Sequence, residues 1–483
     1  MKRQHPAAII GYTTKNFWLL LIPLIRGLAS LSFDFSRWAE GAEWDILAVS
    51  VMIAAAVIRW YFTYYEIGDS DLSVKTGAFM KKSLVIPYSA VCAVTTEQNL
   101  FHAWLGAVRI YVDTDAAVGK RSLADISLII SKPERGMLIN GLSKVFTKEN
   151  RAGYTYKVSK SVLVVFSLLF SSAISGVALL ITLLSGGADI IGEQLEREFM
   201  LAVNNFSDAV ANLAGRLISG ISPAGIAISV IIGVGFLISF VITIMRHMSF
   251  TATRRGKCII ISGGLAVKRT YCINCEKINM ADMRQNLIMK LLGIASLHVN
   301  CTGYGKRKNE IPVFIPICKV KDDRDIRLLL PDFSVPEGTV NPRISYLWRF
   351  IWKAGLIVIV IPFLGLLSLM LFPSWHSLEA FLVVMAEIPA VWYLFAKACA
   401  YCTNGLGITD RSVCAVYCSG YAFHNVSVPI ERVSEIRITS SFFQRFTRSC
   451  DVIIYTNSEY IGGHRIRNIP IIEAERLIRR KFS

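Results

Sequence analysis

Six apolar stretches decide what this chain can fold into, because each is long enough, or nearly so, to cross a bilayer. A spanning helix needs roughly 20 predominantly apolar residues, since the hydrocarbon layer is about 30 Å thick and each residue rises about 1.5 Å. The stretches cover 17–31, 46–64, 162–184, 224–245, 350–372 and 378–398. The first is short and contains Pro23 and Arg26, yet the polar segment behind it is best placed if the chain has crossed by then. A cleaved leader is the other reading of that stretch, and no small-residue cleavage pattern supports it. Composition agrees with a chain partly in lipid: 53% of residues are hydrophobic and 18% charged, where a soluble protein has about a quarter charged.

The charges between these stretches set an orientation, because Lys and Arg accumulate on the cytoplasmic side. Residues 66–160 hold 13 basic and 9 acidic side chains, 246–353 hold 19 and 8, and 397–483 hold 12 and 7. The short connections have the opposite bias, with one basic and four acidic residues in 32–46 and two and five in 185–220. Both termini and the three large segments are therefore expected in the cytoplasm of a multi-pass cell-membrane protein. The net charge of +17 is then a matter of topology and of attraction to anionic lipid, which leaves no role for nucleic acid as a partner. All 11 cysteines fall in the expected cytoplasmic segments or at a helix end facing them, as in a reducing compartment, and not in a disulfide framework.

An internal repeat relates the large segments. Gly77, Lys81-Lys82, Pro87, Gln98-Asn99-Leu100 and Leu105-Gly106 recur 187 residues later as Gly264, Lys268-Arg269, Asn274, Gln285-Asn286-Leu287 and Leu292-Gly293. A more diverged third copy has Gly420, His424, Pro429 and Ser440-Ser441-Phe442, with Arg448 at the later glycine position. Gly119-Lys120-Arg121, Gly305-Lys306-Arg307 and Gly463-His464-Arg465 also correspond. Within each copy apolar residues alternate, as in Val108, Ile110 and Val112, then Leu297, Val299 and Cys301, then Val452 and Ile454. A period of two predicts strands with one buried face. A helical stretch closes each copy, at 133–146, 322–330 and 471–481, the last with Ile472, Leu477 and Ile478 on one side.

The expected architecture is therefore about six transmembrane α-helices plus three small β-rich barrels, each closed by a C-terminal helix. Its segments are 1–65 (first helix pair), 66–150 (first soluble module), 160–246 (second pair, with an outer amphipathic segment at 189–218), 247–345 (second module), 346–398 (third pair) and 399–483 (third module).

This order of features resembles the bacterial membrane proteins with type 2 pleckstrin-homology-like (PH-like) domains, of the YdbT-like kind. The likeness rests on paired helices leading into a strand, a glycine turn and basic residues. It continues through Ile86-Pro87 or Pro429-Ile430, the Gln-Asn-Leu to Leu-Gly segment and a closing helix. It covers nearly the whole chain, with departures at Asn274 and Arg448. The resemblance implies a seven-stranded PH-like barrel with a C-terminal helix in each module, no catalytic signature, and a smaller PH-domain membrane protein as a possible partner. It assigns no ligand, because fold does not fix function.

Several residues are candidates for function. Lys81, Lys82, Lys268 and Arg269 lie beyond the glycine turn of a first hairpin, close to a membrane helix. There they could meet anionic headgroups at about 1 kcal/mol per charge, or be ordinary solvated turn charges. Arg26 and Glu387 are ionisable residues inside apolar stretches. They could pair across a helix bundle or line a polar path, or simply snorkel and take one structural partner. Cys399, Cys402, Cys414 and Cys418 have spacing that could close around zinc, but the strand alternation equally makes Cys414 and Cys418 small core residues. The pair Cys272 and Cys275 has no second pair beside it. No phosphate-binding loop, nucleophile elbow or paired-histidine motif is present, so no enzyme activity, metal or cofactor is expected. The leading expectation is a non-catalytic membrane scaffold or sensor whose PH-like domains bind protein segments or anionic lipid. The alternative is a transporter or export component built on the six helices.

Overall fold

The computed structural model describes residues 1–13, 47, 50–78, 80–114, 126–146, 153–178, 201, 205, 223–301, 313–320, 324–330, 333, 339–456 and 463–482. Three helices among them are long and apolar enough to cross a membrane: Ile228–His247, Ile344–Leu371 and Pro373–Thr403. The expectation of about six spans is thus corrected to three among the described residues. The stretch 46–64 contributes the shorter apolar helix Ser50–Tyr61. In the stretch at 162–184 the helix Lys160–Phe170 ends where Ser171 turns extended, and helix resumes at 173–178. The stretch at 17–31, with Arg26, and the amphipathic segment 189–218 lie outside the described residues, apart from single helical positions at 201 and 205.

The described residues divide into two compact units, one from 1–155, 178–202 and 245–276, the other from 156–177, 203–244 and 277–483. In the first unit, β1 (Lys2–Arg3), β2 (Tyr64–Ile67), β3 (Asp71–Thr76) and β4 (Lys82–Pro87) form one antiparallel sheet in that order. The second sheet joins β5 (Val91–Asn99), β6 (Ala107–Thr114) and β7 (Ile126–Ser131) to β8 (Tyr154–Lys157), β9 (Thr251–Arg255), β10 (Cys258–Gly263) and β11 (Val267–Asn274). Its spatial order is β7-β6-β5-β11-β10-β9-β8. The core between the sheets is filled by Leu72, Val74, Ile86, Val94, Val108, Ile110, Val112 and Leu128, with Leu138 and Leu142 of the helix Lys132–Phe146 closing it. Cys258 and Cys272 enter the same core with their sulfurs 2.8 Å apart, so Cys272 faces Cys258 of the neighbouring strand.

The second unit repeats the plan. β12 (Ile278–Gln285), β13 (Ile294–Cys301) and β14 (Val313–Lys319) continue into β15 (Gly405–Ile408), β16 (Ser412–Ser419) and β17 (Ala422–Pro429). The spatial order is β14-β13-β12-β17-β16-β15. A separate sheet holds β18 (Val433–Thr439), β19 (Ser449–Thr456) and β20 (His464–Pro470). The core gathers Val413, Val426, Val428, Val452, Ile454, Ile466 and Ile469. The helix Ile471–Phe482 packs on it through Ile471, Ala474, Leu477 and Ile478, whereas Ile472, expected on that face, is exposed. The alternating residues named above, Val108 to Val112, Leu297 to Cys301 and Val452 to Ile454, take the inward positions.

The described strands form open sheets and no closed barrel, which corrects the second part of the expected architecture. The physical reason is a choice of partner. The last strand of the second copy's first meander, β11, pairs with β5 of the first copy. The last strand of the third copy's first meander, β17, pairs with β12 of the second. Hydrogen bonds that could close a module on itself are used between consecutive copies.

Candidate membrane-contact surface

The Gln-Asn-Leu to Leu-Gly repeat builds a corner between two strands. At its start Gln98 Nε2 donates to Ala107 O at 3.1 Å, and Gln285 Nε2 to Ile294 O at 2.7 Å, tying the end of one strand to the start of the next. Asn99 Oδ1 then accepts from His102 N, and Asn286 Oδ1 from Met289 N, both at 2.8 Å. Each asparagine thereby caps a five-residue corner helix, Leu100–Trp104 and Leu287–Leu291. In the third copy Ser441 and Gln444 form a capping box for Phe442–Phe446. Gly106 (φ 65°) and Gly293 (φ 66°) end the first two helices in the left-handed region. Arg448 adopts the same conformation (φ 53°) in the third, so its departure from glycine leaves the corner intact.

Every corner helix is fixed to a residue at the end of a membrane-type helix. Leu105 packs against the small core of Ala7, Ala8, Ala107 and Ile129, as does Trp60 at the end of Ser50–Tyr61. Asn286 Nδ2 donates to Leu169 O at 3.1 Å, and Leu287 packs on Ala396 and Ala400 of the helix His376–Thr403. Arg349, in the first turn of Leu347–Leu371, donates from Nη2 to Phe443 O at 2.6 Å, and Tyr346 OH donates to Thr447 O at 2.7 Å. Each also turns large apolar side chains outward: Trp104 is 83% exposed, Leu291 80% and Phe446 74%, with Leu100, Phe442 and Phe443 beside them. Apolar side chains held at the mouth of a spanning helix fall at the depth where aromatic and aliphatic groups meet lipid headgroups.

Two hairpin tips also touch membrane-type helices. Leu265 N donates to Met245 O and Gly264 N to Met248 O, both at 2.9 Å, at the end of the helix Pro223–His247. Tyr421 OH donates to Pro389 O at 3.2 Å, and its ring lies edge-on to Tyr393, centroids 5.3 Å apart. The helix reached by Tyr421 is 31 residues by its span, about 46 Å at 1.5 Å per residue, so about a third exceeds a 30 Å hydrocarbon layer. Lys397, Cys399 and Cys402 belong to the end that continues into β15.

Of the residues singled out in the sequence, Lys81 and Lys82 are exposed at the start of β4. Lys268 is exposed on β11, opposite Gln98 and next to the first corner helix. Arg269 sits opposite Glu97, its Nε 3.0 Å from Glu97 Oε1, inside the seven-stranded sheet. Glu387 lies in the helix His376–Thr403, its Oε2 shielded from solvent. Cys414 is buried in β16, and among the described residues no three His, Cys, Asp or Glu side chains converge as metal ligands. The corner helices were missed as a candidate surface, although Leu100-Phe101 with Trp104, Leu291-Leu292 and Phe442-Phe443 beside an asparagine or serine cap were visible as apolar groups in a turn.

A buried polar cluster marks the β12–β17 junction. Asp282 Oδ2 accepts from His424 Nδ1 at 2.9 Å and from Arg284 Nε at 2.6 Å. Burial disfavours the Asp282 carboxylate, but the His424 hydrogen bond, with His424 and Arg284 as positive neighbours, holds its pKa well below the usual range. The Tyr417 ring stacks on His424, and its hydroxyl lies 2.9 Å from His464 Nδ1. Burial lowers the His464 pKa to about 4.

The model for the bacterial PH domain family matches three times, over residues 17–144, 206–330 and 355–482. The chain is also 23% identical over 450 residues to the UPF0699 transmembrane protein YdbT of Bacillus subtilis (strain 168), a match covering 85% of each protein. With matches spread over most of its length, three capped corners in register and apolar helices long enough to cross a membrane, the chain belongs to the bacterial PH domain family as a YdbT-like membrane protein.

Proposed function

We propose that this protein is a non-catalytic membrane scaffold whose PH-like modules lie against the inner leaflet of the cell membrane, both termini in the cytoplasm, and bind anionic lipid there. The observation that carries this reading is the corner helix, repeated three times with its apolar residues outward and the corner held beside a membrane-type helix. Lys81, Lys82 and Lys268 supply exposed positive charge for headgroups, at about 1 kcal/mol each near an anionic surface. Arg269 contributes through Glu97 to the sheet. Recognition of this kind needs no catalytic group, and the cytoplasmic orientation follows from the charge bias of the loops.

Proteoliposomes carrying a photoactivatable phosphatidylglycerol test the reading. Labelled peptides are expected at 100–106, 287–293 and 442–448 as well as in the spanning helices. Labelling confined to the spanning helices would refute it. A second set, with Lys81, Lys82 and Lys268 changed to Glu, is expected to lose the preference for phosphatidylglycerol over phosphatidylcholine while keeping the corner labels.

A transport reading draws on Glu387, a carboxylate within a candidate spanning helix two residues before Pro389. Intramembrane carboxylates commonly serve ion or substrate paths. Reconstituted protein that moves an ion or lipid, and loses that flux in Glu387→Gln, would favour it.

A further inference from the structure

The two junctions between copies use one register. In the first, Cys272 lies opposite Val94, Arg269 opposite Glu97 and Lys268 opposite Gln98. Aligning the copies on their strand ends (Asn274 with Pro429) and on their corners (Asn286 with Ser441) gives an offset of 155 for both. Under it, and the offset of 187 between the first two copies, the second junction makes the same pairs: Ser427 opposite Ala281, His424 opposite Arg284 and Phe423 opposite Gln285. An interface between copies of one module, made twice in identical register, is a property of the module.

Each module offers two edges to this interface, the last strand of its first meander and the first strand of its second. Three modules in a row use two of each. The strands left over among those described are β4 and β18, one of each kind, and both end their sheets. Exposure reports the missing neighbour. Val85 stands where Cys272 stands in β11; Cys272 is 2% exposed and Val85 57%, with Leu84 beside it at 44%. On β18, Ile436 and Ile438 are half-buried, whereas Ala281 and Met283, at the same positions of β12, are buried. Edge strands that end without partners are usually blunted by charge or proline in mid-strand. Here the middle of β4 is Leu84-Val85, and its lysines stand at the end.

We propose that β4 of one copy pairs antiparallel with β18 of a second copy, in the register of the internal junctions. That register sets Lys82 opposite Thr439, Leu84 opposite Arg437, Val85 opposite Ile436 and Ile86 opposite Glu435. Strand addition of this kind takes its affinity from main-chain hydrogen bonds and its specificity from alternate side chains. Because the two surfaces differ, the contact is heterologous and joins copies head to tail, into a ring or a row in the membrane plane. The inference shares Lys82 with the lipid reading but rests on strand edges and not on the corner helices.

The test uses the full chain in mild detergent or nanodiscs, with benzoylphenylalanine at position 85 and two copies carrying different tags. Irradiation is expected to give a species of twice the mass containing both tags, with the crosslink in the peptide holding residues 435–439. Val85→Arg, at an exposed position outside the core, and Arg437→Pro, which puts a residue without an N–H at an exposed position of β18, are each expected to lower co-purification of the two tags by about tenfold or more. Corner labelling by the photoactivatable lipid should persist in both, which separates failure of this proposal from failure of the membrane reading. Crosslinks confined to one chain, to a different protein such as a single-module relative, or to lipid alone would overturn it.

Discussion

The two internal junctions share a backbone geometry and differ in chemistry. At β5–β11 the facing side chains are largely neutral: Thr95 and Thr96 meet Tyr271 and Thr270, Thr96 Oγ1 donates to Thr270 O at 3.3 Å, and Arg135 Nη2 donates to Thr270 Oγ1 at 2.9 Å. The ion pair Arg269–Glu97 sits at the end and keeps some exposure. At β12–β17 the position of Thr95 is taken by Asp282, buried and held by His424 and Arg284, with Tyr417 linking His424 to His464. Main-chain pairing is thus sufficient to define the register, and the side chains set how the junction responds to its surroundings. The first has no histidine in either strand; the second carries histidine at its centre.

The largest expected contrast comes from removing the anion of each set. Asp282→Ala leaves Arg284 without its counter-charge and His424 without its buried hydrogen-bond partner and should cost about 3 kcal/mol, whereas Thr95→Ala at the matching place should cost about 1 kcal/mol. Hydrogen exchange of the full chain in detergent reads the comparison directly. Protection should fall in β12, β16 and β17 in the first variant and stay near wild type in β5 and β11 in the second. Equal losses would show that the polar cluster is incidental to the junction.

Acid should separate the two regions without mutation. His464 titrates at about 4 in the fold, against about 6.5 when unfolded, so the folded state refuses a proton that the unfolded chain takes up. The stability this confers is complete above pH 6.5 and is lost as pH falls from there to about 4, to a total of about 3 kcal/mol. Asp282, held below its ordinary value, adds a further loss only under more acidic conditions. In the first unit Glu134 is disfavoured by burial, but hydrogen bonds from Tyr65 and Ser131, with Lys2, bring its pKa down to about 2. Its contribution persists above its ordinary value of 4.5. Between pH 7 and 5 thermal unfolding monitored in β16–β20 should therefore move down while that of β5–β7 holds, and His464→Gln should flatten the first response.

The repeat carried much of this fold in the open. Identical spacing of Gln98-Asn99-Leu100 with Gln285-Asn286-Leu287 showed the repeat, and the alternation around Ile110, Val299 and Val452 gave the buried faces. What stayed hidden is which strand lies beside which. A period of two states that one face is buried, but says nothing of the neighbour along the hydrogen-bonding edge, so closed barrels were expected where consecutive copies share sheets. The same gap obscured Arg269, whose sequence neighbour Lys268 is exposed while its own partner, Glu97, is 172 residues away. At the third stretch the reason is local: Ser171 turns extended within it, which hydropathy averaged over a window does not register.

A smaller effect sharpens the comparison at the corners. Gly106, Gly293 and Arg448 close the three corner helices with positive φ, and each carbonyl accepts from the residue opening the next segment, Lys132, Val320 or Ile471, at 3.0–3.1 Å. A Cβ built at Gly106 or Gly293 meets no atom within 4 Å, so the cost of a side chain there is conformational alone, about 1 kcal/mol. Arg448→Gly should accordingly stabilise the third module by up to that amount, offset in part by the greater freedom of glycine in the unfolded chain. Gly106→Arg should destabilise the first by a similar amount. Denaturation of the full chain, followed by hydrogen exchange in β6 and β19, reads both changes. A loss of stability in Arg448→Gly would mean that the Arg448 side chain, exposed beside the third corner helix, holds the module through a contact outweighing its backbone strain.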